Sequence, residues 1–427
     1  MLLSMKLTDI SPAIALTPLD GRYHKQTAPL VEYMSEPALN RERMRVEVEW
    51  MILLANGFEG NGNQTIVPGV KPLTDDEQAY LRSIPENFGA EGIAQHAAYE
   101  AKTHHDVKAV EYYIDDQLEK AADVLGHDTQ LTGLKTLVHF ACTSEDINNL
   151  SIARCVKNGV EQVWLPAAQA IVDHLAQKAD AYRDKAMLSL THGQPATPTT
   201  LGKELAVYVY RLNRQLNKVK AQEYLGKING ATGTFGAHLA ACPDVDWVAV
   251  SREFVTNRMG LTWNPLTTQI ESHDWQAELY GTISHTNRIL HNLCVDVWVY
   301  ISPWRVRAGT GQGRDRFLHH AAQGQSDSFR ERRSQSGDLL LAIGHFVGDA
   351  GRIALAARSD RLHHAAQHRL RAGLFAAGVE QSDGWSELHP SERCCHPGRA
   401  RFQLGGARRA DPDRHARLRA CRTAGYG

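Results

Sequence analysis

The sequence predicts a mainly α-helical protein built as a long-helix bundle, and three observations lead to this fold class. Apolar residues recur at spacings of three and four over stretches long enough for helices of about 20 residues. Connectors rich in Gly, Pro and Thr separate these stretches. No strand–helix–strand alternation, heptad seam or internal repeat is visible along the 427 residues.

Three apolar stripes define the long helices in chain order. The first comprises Leu165, Ala168, Ile171, Val172, Leu175, Ala179 and Tyr182. The second comprises Leu205, Tyr208, Val209, Leu212, Leu216 and Val219, and the third Leu279, Ile283, Leu290, Leu293 and Val297. We therefore predict an N-terminal helical domain over 1–120 with a surface loop at 56–75, an incomplete central bundle over 121–302, and a tail over 303–427.

Composition excludes several classes of protein. The chain has 47 Lys+Arg against 48 Asp+Glu, so it lacks the basic excess of a nucleic-acid binder or an anionic-membrane binder. No segment approaches the roughly 20 apolar residues that span a bilayer, and no signal peptide is recognisable, so we expect a cytoplasmic protein. Seven scattered Cys suit a reducing compartment. Cys394 and Cys395 precede His396 without a second ligand pair, so no metal is expected.

The composition changes abruptly near residue 302. Residues 1–302 contain 14 Lys, 12 Arg and 15 Asn, whereas residues 303–427 contain 21 Arg and neither Lys nor Asn. Lys and Asn share the AAN codon family, which indicates a cause in the DNA rather than in the protein. The helical periodicity also degrades after Ser302, which predicts a poorly ordered tail.

Three polar clusters lie at predicted helix boundaries. They are His104–Asp106 in KTHHDVKAVEYY, Thr143–Asp146 in HFACTSEDINNLS, and His192 with Gly193 in THGQPATPTT. Free N–H groups at a helix start favour an anion, and a glycine lets a neighbouring imidazole project from a tight turn. Each cluster also has a structural interpretation, as a helix cap or a surface histidine. Three clusters on one helical scaffold favour a functional site.

The motifs resemble those of the adenylosuccinate lyase family, within the fumarase/aspartase superfamily. The resemblance covers residues 8–302 and rests on SPAIALTPLDGRY, THHDVKAVEYY, HFACTSEDINNLS, THGQPATPT, LGKINGATGTFGAH and TTQIESHDW. It implies a β-elimination that releases fumarate from adenylosuccinate, leaving AMP, and from the succinyl-carboxamide ribotide of purine synthesis. It also implies a small-molecule nucleotide substrate, no cofactor, and a homotetramer in which three subunits build each active site.

The resemblance also implies roles for individual residues. His192 matches the general acid, and His105 matches a histidine that binds the substrate phosphate or assists the acid. The substrate-binding positions that match are Arg22, Tyr23, His104, His105, Asp106, Thr143, Ser144 and Gln269. Lys227 and Asn229 match less specifically. Such an elimination needs a base for the proton beside a carboxylate and an acid for the departing nitrogen.

The sequence departs from the family at the general base. The family places this serine in a loop close to GSSTMPHKVNPIRFEN, which is absent here. However, permitted codons for Arg316–Glu331, read one base later, spell that loop. One extra cytosine in the codons for Ile301–Trp304 would produce the shift. We therefore hypothesise that residues 303–427 are an out-of-frame translation of the rest of the gene, so the chain as written is expected to be inactive and prone to aggregation.

Three other functions are also compatible with the sequence. An inactive pseudoenzyme would bind a nucleotide through Arg22, His104, His105 and Ser144 without turnover. Another fumarate-releasing lyase of the superfamily would differ in its substrate. A nucleic-acid-binding module is disfavoured, because the Arg-rich tail lacks interleaved aromatic residues.

Overall fold

The computed structural model describes Gly21 and residues 23–301. Its helices are α1 His24–Met34, α2 Glu36–Asn56, α3 Asp75–Glu86, α4 Ala90–Thr103, α5 Asp106–Glu119, α6 Ala121–Leu125, α7 Ser144–Gly159, α8 Leu165–Ala181, α9 Leu201–Lys220, α10 Gly236–Ala241, α11 Trp247–Glu253 and α12 Asp274–Ile301. The strands are β1 Ala186–Thr191, β2 Gln194–Thr200, β3 Leu225–Gly226 and β4 Thr262–Trp263. The predicted mainly helical fold is confirmed. Arg22 and the tail over 303–427 lie outside the described residues.

The three apolar stripes form the contacts between the long helices, as predicted. Helix α9 packs against both α8 and α12. The stripe residues that become fully buried are Ala168, Ile171, Val172, Leu175, Leu205, Tyr208, Leu212, Leu216, Val219, Leu279, Ile283, Leu290, Leu293 and Val297. A π-helical turn, Val160–Trp164, joins α7 to α8 without a break. The long-helix part of the molecule therefore follows the 3.6-residue periodicity of its sequence.

Short polar residues set where the helices of the N-terminal region begin. The Ser35 side chain accepts from Ala38 N–H at the start of α2, and Pro37 occupies its first turn. Thr74 and Glu77 form a reciprocal capping box at the start of α3. The predicted surface loop at 56–75 is the irregular connector between these helices, interrupted by one 3₁₀ turn, Glu59–Asn61. These side chains satisfy backbone N–H groups that have no partner within the helix.

Helix α2 runs through the core of the described region. It packs against α3, α5 and α7, and residues on every side of it are buried. Trp50 on this helix is 1% exposed, and its ring meets Phe254 and Trp247. Because α2 contacts the helices that carry both polar clusters of the N-terminal half, it provides a common support for them.

The connector after α8 is a β-hairpin, which the sequence analysis did not predict. Strands β1 and β2 pair antiparallel, and Thr191 lies opposite Gln194. The two residues between them, His192 and Gly193, have φ values of 52° and 74°. Two consecutive positive φ angles are typical of the type I′ turn of tight hairpins. Two prolines in β2 obscure the strand pattern, since proline is confined to edge strands.

Candidate functional site

The start of α7 is built around one buried carboxylate. Asp146 accepts hydrogen bonds from Thr143 N–H at 2.9 Å, Asn229 N–H at 3.0 Å and Gly230 N–H at 3.0 Å. The Lys227 ammonium lies 2.8 Å from the same side chain, and both charged side chains are completely buried. These contacts join the helix start to the Gly-rich loop that follows β3. Asp146 and Lys227 therefore shape the corner rather than present charge to solvent.

The start of α5 carries the candidate histidine. His105 is the N-cap residue, and its Nδ1 accepts from Lys108 N–H at 3.2 Å. His104, in the left-handed region with φ 52°, ends α4 and lets the chain turn directly into α5. The Nδ1 contact leaves Nε2 as the atom directed away from its own helix. Both histidines are exposed.

These two helix starts converge. His105 Nε2 lies 3.5 Å from Ser144 Oγ, although the two residues are 39 positions apart in the chain. Ser144 is the first residue of α7, and His105 caps α5. Each helix contributes the positive end of its dipole. The structure thus brings the first two polar clusters together in an arrangement suited to an anion.

Asp106 is already engaged by protein groups. Its carboxylate pairs with the Arg43 guanidinium at 2.5 Å and accepts from Val107 N–H at 2.9 Å. Burial raises the pKa of this carboxyl, but the Arg43 charge and these hydrogen bonds outweigh burial and hold the pKa below its ordinary value. Asp106 thus remains ionised beside His105.

The other candidate residues lie on other elements of the fold. Tyr23 is 37% exposed at the N-cap of α1. His192 is exposed at the hairpin turn, and no hydrogen bond or ion pair within residues 23–301 joins it to the first two clusters. Gln269 is exposed in the loop before α12. Within one chain, the structure thus brings the His104–Asp106 and Thr143–Asp146 clusters into contact, but not His192.

A histidine that the sequence analysis did not single out connects the Gln269 loop to α7. His273 Nδ1 lies 3.1 Å from Glu271, and its Nε2 lies 3.7 Å from Glu145. Burial raises the pKa of Glu145, with His273 and Lys227 opposing that shift. Burial also raises the pKa of Glu271, but hydrogen bonds from His273 and Asn264 lower it overall. Only the ESHDW motif in the sequence could have indicated this arrangement.

A second unanticipated histidine, His139, lies just before α7. Its Nδ1 is 2.7 Å from the fully buried Glu47. Burial lowers the pKa of His139, yet the hydrogen bond and charge of Glu47 raise it overall. Among the described residues no cluster of His, Cys, Asp and Glu is arranged to hold a metal. Over the same span, no helix is both long and apolar enough to cross a bilayer.

The buried environment of His238 predicts that the protein loses stability in acid. It is completely buried between Trp50 and Trp247, and neither ring nitrogen has a hydrogen-bond partner among the described residues. Burial lowers its pKa to about 4. The unfolded chain, with an imidazole pKa of about 6.5, then binds the extra proton first, so stability falls as the pH drops below about 6.5 and continues to fall to about 4.

Between pH 7.5 and pH 5, we expect the free energy of unfolding to fall by about 2 kcal/mol more in the wild-type protein than in His238→Phe. Urea unfolding at each pH measures this difference. His127→Gln, at an exposed loop histidine, should behave as wild type. An equal loss of unfolding free energy in the wild type and His238→Phe would contradict the lowered pKa of His238.

The sequence is similar to those of several known proteins. A family model described as "Lyase" (Lyase_1) matches residues 21–308. Adenylosuccinate lyase of Escherichia coli K12 is 43% identical over 294 residues, which are 69% of this chain and 61% of that protein. Adenylosuccinate lyase of Haemophilus influenzae is 41% identical over 293 residues, with the same shares. The chain thus spans about 61% of the length of these curated relatives.

A solved structure is also similar in fold. The 3-carboxy-cis,cis-muconate lactonizing enzyme of Pseudomonas putida superposes with a TM-score of 0.50 at 16% identity, over 78% of this chain and 73% of that one. At this identity the likeness concerns the fold alone.

Proposed function

The chain belongs to this lyase family, and from that premise we propose that it derives from an adenylosuccinate lyase whose site binds a nucleotide phosphate between α5 and α7. The observation that carries the proposal is the 3.5 Å separation of His105 Nε2 and Ser144 Oγ at two converging helix starts. A phosphate oxygen placed there would receive hydrogen bonds from both side chains and would lie at the positive ends of two helix dipoles.

In the proposed reaction the C–N bond to the succinyl group breaks as a proton leaves the carbon beside a carboxylate. His192 would protonate the departing nitrogen, while Thr143 and Gln269 would contact the succinyl and base portions. Arg22 and Tyr23 would add phosphate contacts. Electrostatic stabilisation of the aci-carboxylate would supply much of the rate enhancement. The products are fumarate and AMP, and no redox step occurs.

His192 suits a site completed by another subunit. It lies at the tip of an exposed hairpin rather than beside His105. In a homotetramer, which we propose for this protein, the hairpin tip of one subunit would reach the His105–Ser144 pair of another. This arrangement supports the superfamily's three-subunit site, and the partner required is a further copy of this chain.

We also propose that residues 303–427 are translated out of frame. The support is the loss of Lys and Asn in this segment together with the shifted reading of Arg316–Glu331 as GSSTMPHKVNPIRFEN. The general base would then be absent. The chain as written would bind the nucleotide but would not cleave adenylosuccinate. This outcome coincides with the pseudoenzyme alternative, so binding and turnover must be measured separately.

Binding of AMP tests the proposed site directly. We expect saturating AMP to raise the melting temperature of the wild-type chain, because a ligand that binds only the folded state stabilises it by mass action. His105→Ala and Ser144→Ala should each lose most of this increase, while His127→Ala should retain it. An AMP effect that survives both site substitutions, or no effect in wild type, would contradict the proposal.

A further inference from the structure

Helix α2 directs three buried polar side chains toward the loops that form the candidate site. Arg43, Glu47 and Trp50 are spaced by four and three residues, which places them on one face of the helix. They are 2%, 0% and 1% exposed, respectively. Burying an arginine and a glutamate in a helix interior is costly unless each charge is paired and hydrogen-bonded. The partners of these side chains therefore show which loops and helix starts α2 holds in place.

Arg43 links α2 to the starts of both site helices. Its Nη2 contacts Asp106 at 2.5 Å, and Asp106 directly follows His105. Its Nε donates to Asn148 Oδ1 at 2.9 Å, one turn after Ser144 in α7. The remaining end of the planar guanidinium donates to Asn40 at 2.7 Å. One rigid group with five donors thus fixes the two helix starts relative to each other.

Glu47 holds the loop that leads into α7. Its two oxygens accept from His139 N–H at 2.9 Å and meet His139 Nδ1 at 2.7 Å. His139 and Ala141 have φ values of 59° and 58°. Left-handed conformations are strained at residues with a Cβ and persist only where the surroundings impose them.

The same loop is held at a second point. Trp50 Nε1 donates to the carbonyl of Phe140 at 3.0 Å. The loop ends at Thr143, the N-cap residue whose N–H is bound by Asp146. Glu47 and Trp50 therefore impose an unusual backbone path that determines where Ser144 lies.

We propose that Arg43 and Glu47 are positioning residues for phosphate binding: they set the separation of His105 and Ser144 without touching the ligand. This inference rests on the proposed function for the identity of the ligand. A site displaced by about 1 Å loses much of its affinity, so residues that fix its geometry affect binding beyond their effect on stability. A purely structural pair would instead change stability alone.

Conservative variants separate these two roles. Arg43→Lys retains the positive charge near Asp106 but cannot reach Asp106 and Asn148 together, and Glu47→Gln retains the shape but loses the charge. We expect AMP affinity, measured by calorimetry well below the melting temperature, to fall at least about tenfold in Arg43→Lys and several-fold in Glu47→Gln. Ile171→Val in α8, a mild truncation of a buried core residue, should leave AMP affinity unchanged.

Hydrogen exchange supplies a readout that needs no nucleotide. In Arg43→Lys, the amides of residues 107–109 and 146–148 should exchange faster at fixed global stability, and Glu47→Gln should accelerate those of residues 139–143. Unchanged exchange at these positions would overturn the positioning role, as would wild-type AMP affinity in both variants. If wild-type protein binds no AMP but the exchange pattern changes as expected, the proposed function fails and the positioning role stands.

Discussion

Replacing Asp146 with asparagine is expected to lower the free energy of unfolding by about 3–5 kcal/mol, a large fraction of the stability of a typical domain. The fully buried Lys227 ammonium would lose its only carboxylate contact among the described residues. The introduced amide nitrogen would also face at least one of the N–H groups of Thr143, Asn229 and Gly230 that now donate to the carboxylate. An uncompensated buried charge and opposed donors both destabilise the folded state.

Two controls distinguish this effect from a general loss of acidic charge. Asp184→Asn removes an aspartate whose side chain is 90% exposed, and it should change stability by less than about 0.5 kcal/mol. Adding Lys227→Met to Asp146→Asn removes the stranded charge, so the double variant should be more stable than Asp146→Asn alone. Urea unfolding of the wild type, the two single variants and the double variant measures these changes in stability. A loss below about 1 kcal/mol in Asp146→Asn would contradict the proposed role of the pair.

Deleting one cytosine from the codons for Ser302 and Pro303 is expected to convert an inactive chain into an active lyase. The restored frame would encode GSSTMPHKVNPIRFEN and the family's later bundle helices. Loss of a general base alone typically costs about 10²- to 10⁴-fold in rate. We therefore expect the chain as written to release fumarate from adenylosuccinate at no more than about 10⁻² of the restored chain's rate, as measured by the change in absorbance.

Sequencing the DNA across Ile301–Trp304 accompanies this assay, and intact mass identifies each polypeptide. Replacing both serines of the restored loop with alanine should abolish the regained activity without changing the assembly state. Equal rates from the two frames would contradict the hypothesis, as would codons that permit no shifted reading.

The sequence predicted the parts of the fold that depend on local order. The stripes at 165–182, 205–219 and 279–297 identify long helices, because a helix buries residues with a 3.6-residue period. His105 and Thr143 were recognisable as helix starts from their local context. Their convergence was not predictable from local order, because it depends on how α2 packs against α5 and α7.

The supporting residues escaped the sequence analysis for a related reason. In RERMRVEVEW, Arg43 and Glu47 look like the exposed charges of an ordinary helix, whereas α2 is buried on every side. A charge that stabilises a neighbouring loop has no local signature, since its partner is about 60 to 90 residues away in the chain. The hairpin at 186–200 was missed because prolines mask its alternation.

The contact between Asp146 and Lys227 has a consequence for biosynthesis. These residues are 81 positions apart, and the start of α7 relies on the N–H groups of Asn229 and Gly230. A ribosome-bound chain that ends before Lys227 contains the whole of α5 and α7, yet Asp146 would have neither its counter-charge nor two of its donors. The corner at the start of α7 therefore assembles late during translation, and chains released early would present an unsatisfied acidic group to cellular quality control.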